Sequence, residues 1–145
     1  MIRVELNNQT KHRTGSAWLQ EAVRAVNNVL KYKKKYLVSV ALVGSKRMAT
    51  FNKKYRRKTG ATDVLSFSEL EKGSFPLGGG AKSAGEIIIC PDVAKKNARE
   101  AGHRLTREMQ ELFIHGLLHI FGYEHNTAEK EKKMLRLQKK ILKEI

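Results

Sequence analysis

Apolar residues change their period along this chain, and the changes divide it into alternating strand and helix candidates. Ile2, Val4 and Leu6 alternate with polar residues, the pattern of a strand with one buried face. Asn7 to Gly15 is polar and breaks that pattern. From Ser16 the period lengthens, and Trp18, Leu19, Ala22, Val23, Val26, Val29 and Leu30 recur at three and four residues, as on one side of a helix. Lys31 to Lys35 follow, and cations suit the carboxyl end of a helix. Tyr36 to Val43 (YLVSVALV) is rich in β-branched residues and predicts a second strand. Ser45 then stands where a cap would open a helix carrying Met48, Phe51 and Tyr55 and displaying Lys53, Lys54 and Arg56.

Thr62 to Phe67 (TDVLSF) and Gly85 to Cys90 (GEIIIC) predict two further short strands. Between them, Ser68 to Ala84 contains Pro76 and the triplet Gly78, Gly79 and Gly80. A glycine cluster that cradles phosphate opens a helix, whereas this one leads into a strand, so a flexible loop bordering the site is expected. Pro91 begins a polar helix through about Ala101, ended by Gly102. Thr106 can cap the next helix, whose wheel is apolar around most of its circumference except for a sector of Glu111, His115 and His119. Such a helix is central and buried, with one chemically active sector open to a pocket. Gly116 costs this helix about 1 kcal/mol relative to alanine, which points to close packing against a neighbour or room beside a metal. Asn126 and Glu129 form a capping pair ahead of a surface helix with Met134, Leu135, Leu137, Ile141 and Leu142 as its apolar stripe. With no internal repeat, residues 1–145 are expected to form a single α+β domain, a small mixed sheet of about four strands covered by about five helices.

HGLLHIFGYEH, residues 115 to 125, holds three of the five histidines. His115 and His119 are four apart and share one helix face, Gly122 lets the chain leave the helix through a left-handed conformation, and His125 can swing back as a third ligand. Three imidazoles on a tetrahedral ion leave one corner open, as in catalytic rather than structural zinc sites, and the lone Cys90 argues against a cysteine-rich structural site. Three imidazoles also suit nickel, copper and iron. A purely structural histidine cluster is the weaker alternative. His12 and His103, isolated in polar context, read as ordinary surface residues. The spacing matches the zinc peptidase pattern H-E-x-x-H-x-x-G-x-x-H, but Gly116 stands where the peptidases carry their glutamate base.

Charge turns the expected substrate from peptide to polyanion. The chain carries a formal +15, and residues 1–60 hold 15 Lys and Arg against only Glu5 and Glu21. The runs KYKKK (31 to 35) and KKYRRK (53 to 58) concentrate that excess. RNA or DNA leads as partner over membrane, because no lipidation signal or strongly amphipathic basic helix accompanies the runs. No apolar run approaches the roughly 20 residues that span a bilayer, and a soluble intracellular protein is expected. Attack on a phosphodiester requires positive charge beyond the metal's, and a planar guanidinium matches two phosphate oxygens. Arg56 is the candidate, although composition alone does not separate it from Arg57 or Arg47, and as a pattern alone it reads more readily as a solvated cation on an exposed helix.

The ordered set N-x-x-Y-R at Asn52 to Arg56, TDVLSF, GEIIIC and HGLLHIFGYEH resembles the YbeY family of bacterial ribosomal RNA maturation factors, over Asn52 to His125 and in overall length. The resemblance implies one zinc ion per chain held by His115, His119 and His125, and a phosphate-directed catalytic arginine at Arg56. It also implies a cytoplasmic, single-strand-specific metallo-endoribonuclease acting in small-subunit ribosomal RNA 3′-end maturation and ribosome quality control. Its partners would be single-stranded or ribosomal RNA, the small ribosomal subunit and its assembly factors, with no membrane and no DNA. Two positions depart from the family, Glu86 and Glu124 standing where aspartate is usual, whereas Gly116 is the family's own residue. The competing readings are a ribosome-assembly RNA- or protein-binding factor with a mainly structural metal site, and a metallopeptidase, which Gly116 and the basic charge disfavour.

Overall fold

The computed structural model describes residues 1–70 and 80–145. In chain order the elements are β1 (Ile2–Asn8), α1 (Ala17–Leu30), β2 (Tyr36–Leu42), α2 (Ser45–Arg56), β3 (Val64–Ser68), β4 (Lys82–Ile89), α3 (Pro91–Ala101), α4 (Leu105–Ile120) and α5 (Ala128–Leu142). The expected α+β domain is therefore observed. The sheet order is β1-β2-β4-β3, with β1, β2 and β4 parallel and β3 antiparallel to β4. Among the described residues β3 pairs only with β4, so it forms one edge of the sheet.

Strand residues alternate between two cores, as the period of two requires. Val38, Val40 and Leu42 of β2 and Ile87 and Ile89 of β4 face α1, α4 and α5, where they meet Leu19, Phe113, Leu117 and Ile141. Ala41, Ile88 and Leu65 face the other way and pack with Met48 of α2. α2 thus covers one face of the sheet, with Val93 of α3 at its margin, and α4 is central on the other, touching α1, α3, α5, β3 and β4. The wheel of α4 is reproduced residue by residue: Leu112, Phe113, Ile114, Leu117, Leu118 and Ile120 are buried, while Glu111, His115 and His119 are only half-buried. Two buried polar residues interrupt the apolar part. Gln110 donates to Trp18 O at 2.9 Å and to Glu21, and Glu108 pairs with His103, so neither is left unsatisfied.

Several boundaries differ from the sequence expectation for identifiable reasons. Gly44, not Ser45, precedes α2; the Ser45 backbone N–H and hydroxyl both donate to the Asp92 carboxylate instead. α4 starts after Arg104, which places Thr106 inside its first turn, and α5 is capped by Thr127, whose hydroxyl accepts from Lys130 N at 3.2 Å, not by Asn126. β4 begins at Lys82, inside the stretch expected as a loop, because it extends to pair with Tyr36 and Leu37. The remainder of that glycine-bearing connection, residues 71–79, lies outside the described residues, and with it Pro76, Gly78 and Gly79. Leu135 is exposed and off the apolar stripe; α5 instead turns Met134 and Ile141 inward. His12 and His103 are not isolated surface residues, since His12 bonds Asp92 at 2.8 Å and His103 bonds Glu108.

Two glycines set how closely layers approach. At Gly116 a Cβ would stand 3.3 Å from Ile87 Cγ2 and 3.5 Å from Ser66 Cβ, so α4 rests on β3 and β4 through a bare backbone. Gly85 has φ of +153°, and a Cβ there would lie far inside van der Waals contact with the Phe67 carbonyl oxygen. Gly102 also has positive φ, +75°, but open space around it. Gly85→Ala should therefore cost at least ~3 kcal/mol in urea unfolding, combining strain and steric displacement, against ~1 kcal/mol for Gly102→Ala. Equal costs would show that the Phe67 approach is not rigidly held.

Candidate active site

The α4 sector left open by the apolar wheel faces a cleft of about 580 Å³ that runs past the β3 edge. His115, Gly116 and His119 line one side, and Tyr55 and Arg56 at the end of α2 line the other, with Asp63 to Phe67 between them. This is a consequence of the topology. α4 and α2 cover opposite faces of the sheet, and only at its edge can side chains from both meet. Gly122 takes φ of +93°, and the turn it makes returns His125 to the cleft. The ligand nitrogens of His115, His119 and His125 all lie within 4.8 Å of one another.

The histidines are aimed, not merely near. His119 Nδ1 donates to Tyr123 O at 2.8 Å, which fixes its proton on Nδ1 and leaves the Nε2 lone pair free. That Nε2 stands 3.0 Å from His115 Nε2. A tetrahedron of nitrogens about 2.0–2.1 Å from a central zinc has edges of about 3.3–3.4 Å, so the two rings need little movement to share an ion. The exposed His125 ring, whose centroid is 5.0 Å from that of His119, closes the third side. The donor set fits a transition metal with an open coordination position.

Burial supplies the protonation state that such binding needs. Desolvation lowers the pKa of His115 below its ordinary 6.5, helped by His119 and His125; the Gln138 amide beside the ring and the Asp63 carboxylate act in the opposite sense. His119 is also lowered by burial, against the hydrogen bond to Tyr123. Both rings are neutral at pH 7. Gln138, on the inward side of α5, was not visible as a site residue in sequence; its buried side-chain oxygen lacks a hydrogen bond of good geometry and lines a smaller pocket behind His115. A second group, His103, Glu108 and Glu111, also brings ligand atoms within 4.8 Å. Its members already have partners, His103 with Glu108 and Arg107 with Glu111 at 3.4 Å.

Arg56 enters the cleft because α2 ends there, with Arg57 adopting a left-handed φ of 56° that turns the chain back toward β3. Asn52 holds that return, donating from Nδ2 to Gly60 O at 2.8 Å from a buried position. Of the three arginines that composition left undivided, Arg56 is the one that lines the cleft. Glu86 lies on β4 paired with Phe67 and is exposed, and Glu124 contacts Lys130 at 3.6 Å; neither lines this cleft.

Fold and site together define the class: an α+β domain with a candidate three-histidine metal centre facing an arginine across an open cleft. The family model described as Endoribonuclease YbeY matches residues 2–145. Among curated relatives named Endoribonuclease YbeY, that of Staphylococcus carnosus is 36% identical over 98% of this chain and 95% of its own length. That of Mycolicibacterium smegmatis is 33% identical over 99% of this chain and 83% of its own, and that of Bacillus licheniformis 43% identical over 72% and 69%. The solution structure of TM1509 from Thermotoga maritima is similar with a TM-score of 0.64 and 31% identity, covering 99% of this chain and 88% of that one. The chain belongs to the YbeY endoribonuclease family.

The lowered histidine pKa values carry a sign for stability. As pH falls through 6.5 the unfolded rings gain protons that the folded rings refuse, so protonation favours the unfolded chain. Urea unfolding of the metal-free protein should show stability declining from pH 8 to about 5.5. The double variant His115→Gln, His119→Gln should flatten that decline, and an unchanged slope would remove these rings as its cause.

Proposed function

We propose that this chain is a zinc-dependent endoribonuclease that cleaves single-stranded RNA, with residues 1–145 forming one catalytic domain. Its expected setting is the cytoplasm, in small-subunit ribosomal RNA 3′-end maturation and ribosome quality control, alongside the small subunit and its assembly factors. The observation that carries the reading is the convergence of Arg56 with His115, His119 and His125 in one cleft, in a chain of the YbeY endoribonuclease family.

In this mechanism His115, His119 and His125 hold one zinc ion, which when bound supplies Lewis acidity and a means of generating a nucleophile at neutral pH. Arg56 grips the scissile phosphate with two parallel N–H donors and offsets the negative charge that grows as water or a 2′-hydroxyl attacks. The His119 hydrogen bond to Tyr123 keeps the imidazole in the orientation that binding requires. Lys53 and Lys54, on the last turn of α2, and Arg57 and Lys58 beyond it extend the positive charge along the approach to the cleft. They draw the polyanion in by displacing its counterions.

His115→Ala should abolish cleavage of single-stranded RNA and weaken metal binding. Arg56→Ala should lower cleavage by roughly 10²–10³-fold, the scale of a lost transition-state donor, with metal content unchanged. Elemental analysis beside a cleavage assay tests both, and undiminished cleavage by chelated, metal-free protein would overturn the mechanism. RNA affinity should also fall steeply with salt, and replacing Lys53, Lys54 and Lys58 with glutamine should shallow the slope by about 0.7 for each phosphate no longer neutralised. A slope that stays unchanged would show that the end of α2 is not the RNA surface.

A further inference from the structure

Tyr55 is an anomaly that the chemistry above does not use. Four large hydrophobic residues are exposed among those described: Met1, Ile145, Leu135 and Tyr55, which is 52% accessible. The first two end the chain and Leu135 lies on α5, whereas Tyr55 lines the cleft next to Arg56. It is not a loose surface side chain. Its ring meets Phe67 at a centroid distance of 5.0 Å and an angle of 66°, and Phe51 at 6.2 Å and 38°. Lys54 Nζ lies 5.2 Å from its centroid. Two aromatic neighbours, one on β3 and one on α2, hold the ring in place while leaving half of the residue to solvent.

An exposed aromatic ring braced by two others, with a cation beside it and a phosphate-directed arginine as its chain neighbour, has the composition of a nucleobase platform. Bases stack on such rings with little dependence on sequence, because every base has a π-face. Only an unpaired, splayed base can offer that face, since in a duplex both sides are already stacked. We propose that Tyr55 is a nucleobase-binding residue, stacking one base of the RNA beside the phosphate gripped by Arg56, and that this contact selects single-stranded over duplex substrate. The inference rests on the nuclease reading of the cleft and adds to it the residue that reads strandedness. Simple apolar cover for Phe67 is the competing role, and leucine would serve that role equally well.

The test is binding of short, unstructured, fluorescein-labelled RNA to the full chain in chelator, which keeps the RNA intact. Tyr55→Leu should weaken single-strand binding by about 5- to 100-fold, while Tyr55→Phe and Tyr55→Trp stay within about twofold of the parent. An oligonucleotide carrying 2-aminopurine at the stacked position should be quenched by the parent and by Tyr55→Phe but not by Tyr55→Leu. Duplex affinity, which depends on phosphates, should be the same for all four proteins, and Tyr55→Leu should unfold in urea as the parent does. Single-strand binding by Tyr55→Leu as tight as the parent's would overturn the proposal, as would an equal loss in Tyr55→Phe. Failure of the parent itself to bind single-stranded RNA would instead bring down the nuclease reading and this inference with it.

Discussion

The seat of α4 on the edge of the sheet is the contact on which the site depends. Gly116 brings the helix backbone against Ile87 and Ser66, and one turn later Ser68 Oγ donates to Ile120 O at 2.8 Å. That bond satisfies a carbonyl at the end of the helix, where intrahelical partners run out. Gly85 completes the arrangement from the other strand, because its missing Cβ makes room for the Phe67 carbonyl and for Ile120. The helix gains from burying Phe113, Leu117, Leu118 and Ile120 at ~1.5–3 kcal/mol each, which far exceeds the ~1 kcal/mol that glycine costs in its interior. Packing therefore decides where His115 and His119 stand, and it decides this before any ligand is considered.

Electrostatics follow from the same geometry. The imidazoles sit on a desolvated helix face where the charged form is disfavoured, and both are lowered by burial. The cations Lys53, Lys54 and Arg56 belong to a helix on the opposite face of the sheet, at its carboxyl end, where the backbone carbonyls favour positive charge. β3 separates the two sets and, as an edge strand, lets both reach one cleft. The desolvated imidazoles of His115 and His119 and a positive rim can coexist here because neither set has to be buried against the other. The carboxylate between them, Asp63, accepts from Val64 N and from Asn97, which commits it to holding the start of β3.

What sequence made legible was periodic, and what it missed depended on which particular groups pair in the fold. The α4 wheel gave the buried and open sectors correctly because helical period is a property of sixteen adjacent residues. The cap at Ser45 is lost to a tertiary partner, Asp92, 47 residues away, and the one at Asn126 to its neighbour Thr127, whose hydroxyl accepts from Lys130 N. His103 read as a surface residue because its partner Glu108 lies on a helix whose orientation only the fold reveals. Arg56 could not be told from Arg47 or Arg57 by charge. The left-handed turn at Arg57, braced by Asn52 on Gly60, is what leaves one of the three in the cleft. Gln138 escaped notice because a glutamine among lysines on a surface helix carries no periodic signal, although every third or fourth residue from Met134 to Ile141 turns inward.

Gly116 joins the packing argument to the chemical one. In zinc peptidases that share this histidine spacing, the residue after the first histidine is the glutamate that handles the proton of the attacking water. Here a Cβ at that position would meet Ile87 at 3.3 Å and Ser66 at 3.5 Å, so any side chain there presses α4 away from β3 and β4 by a few tenths of an ångström. The contact that places the histidines thus disfavours a larger residue, a carboxylate base included, at this position. In a cleft proposed to take a phosphodiester, the lack of a second carboxylate beside Asp63 among the described residues is favourable, since another negative charge next to an anionic substrate would oppose binding as well as the charge that develops on attack. On the proposed reading the division of labour differs from the peptidases: stabilisation of charge would come from a metal and from Arg56, and proton transfer would be carried by groups other than a side chain of α4 at this position.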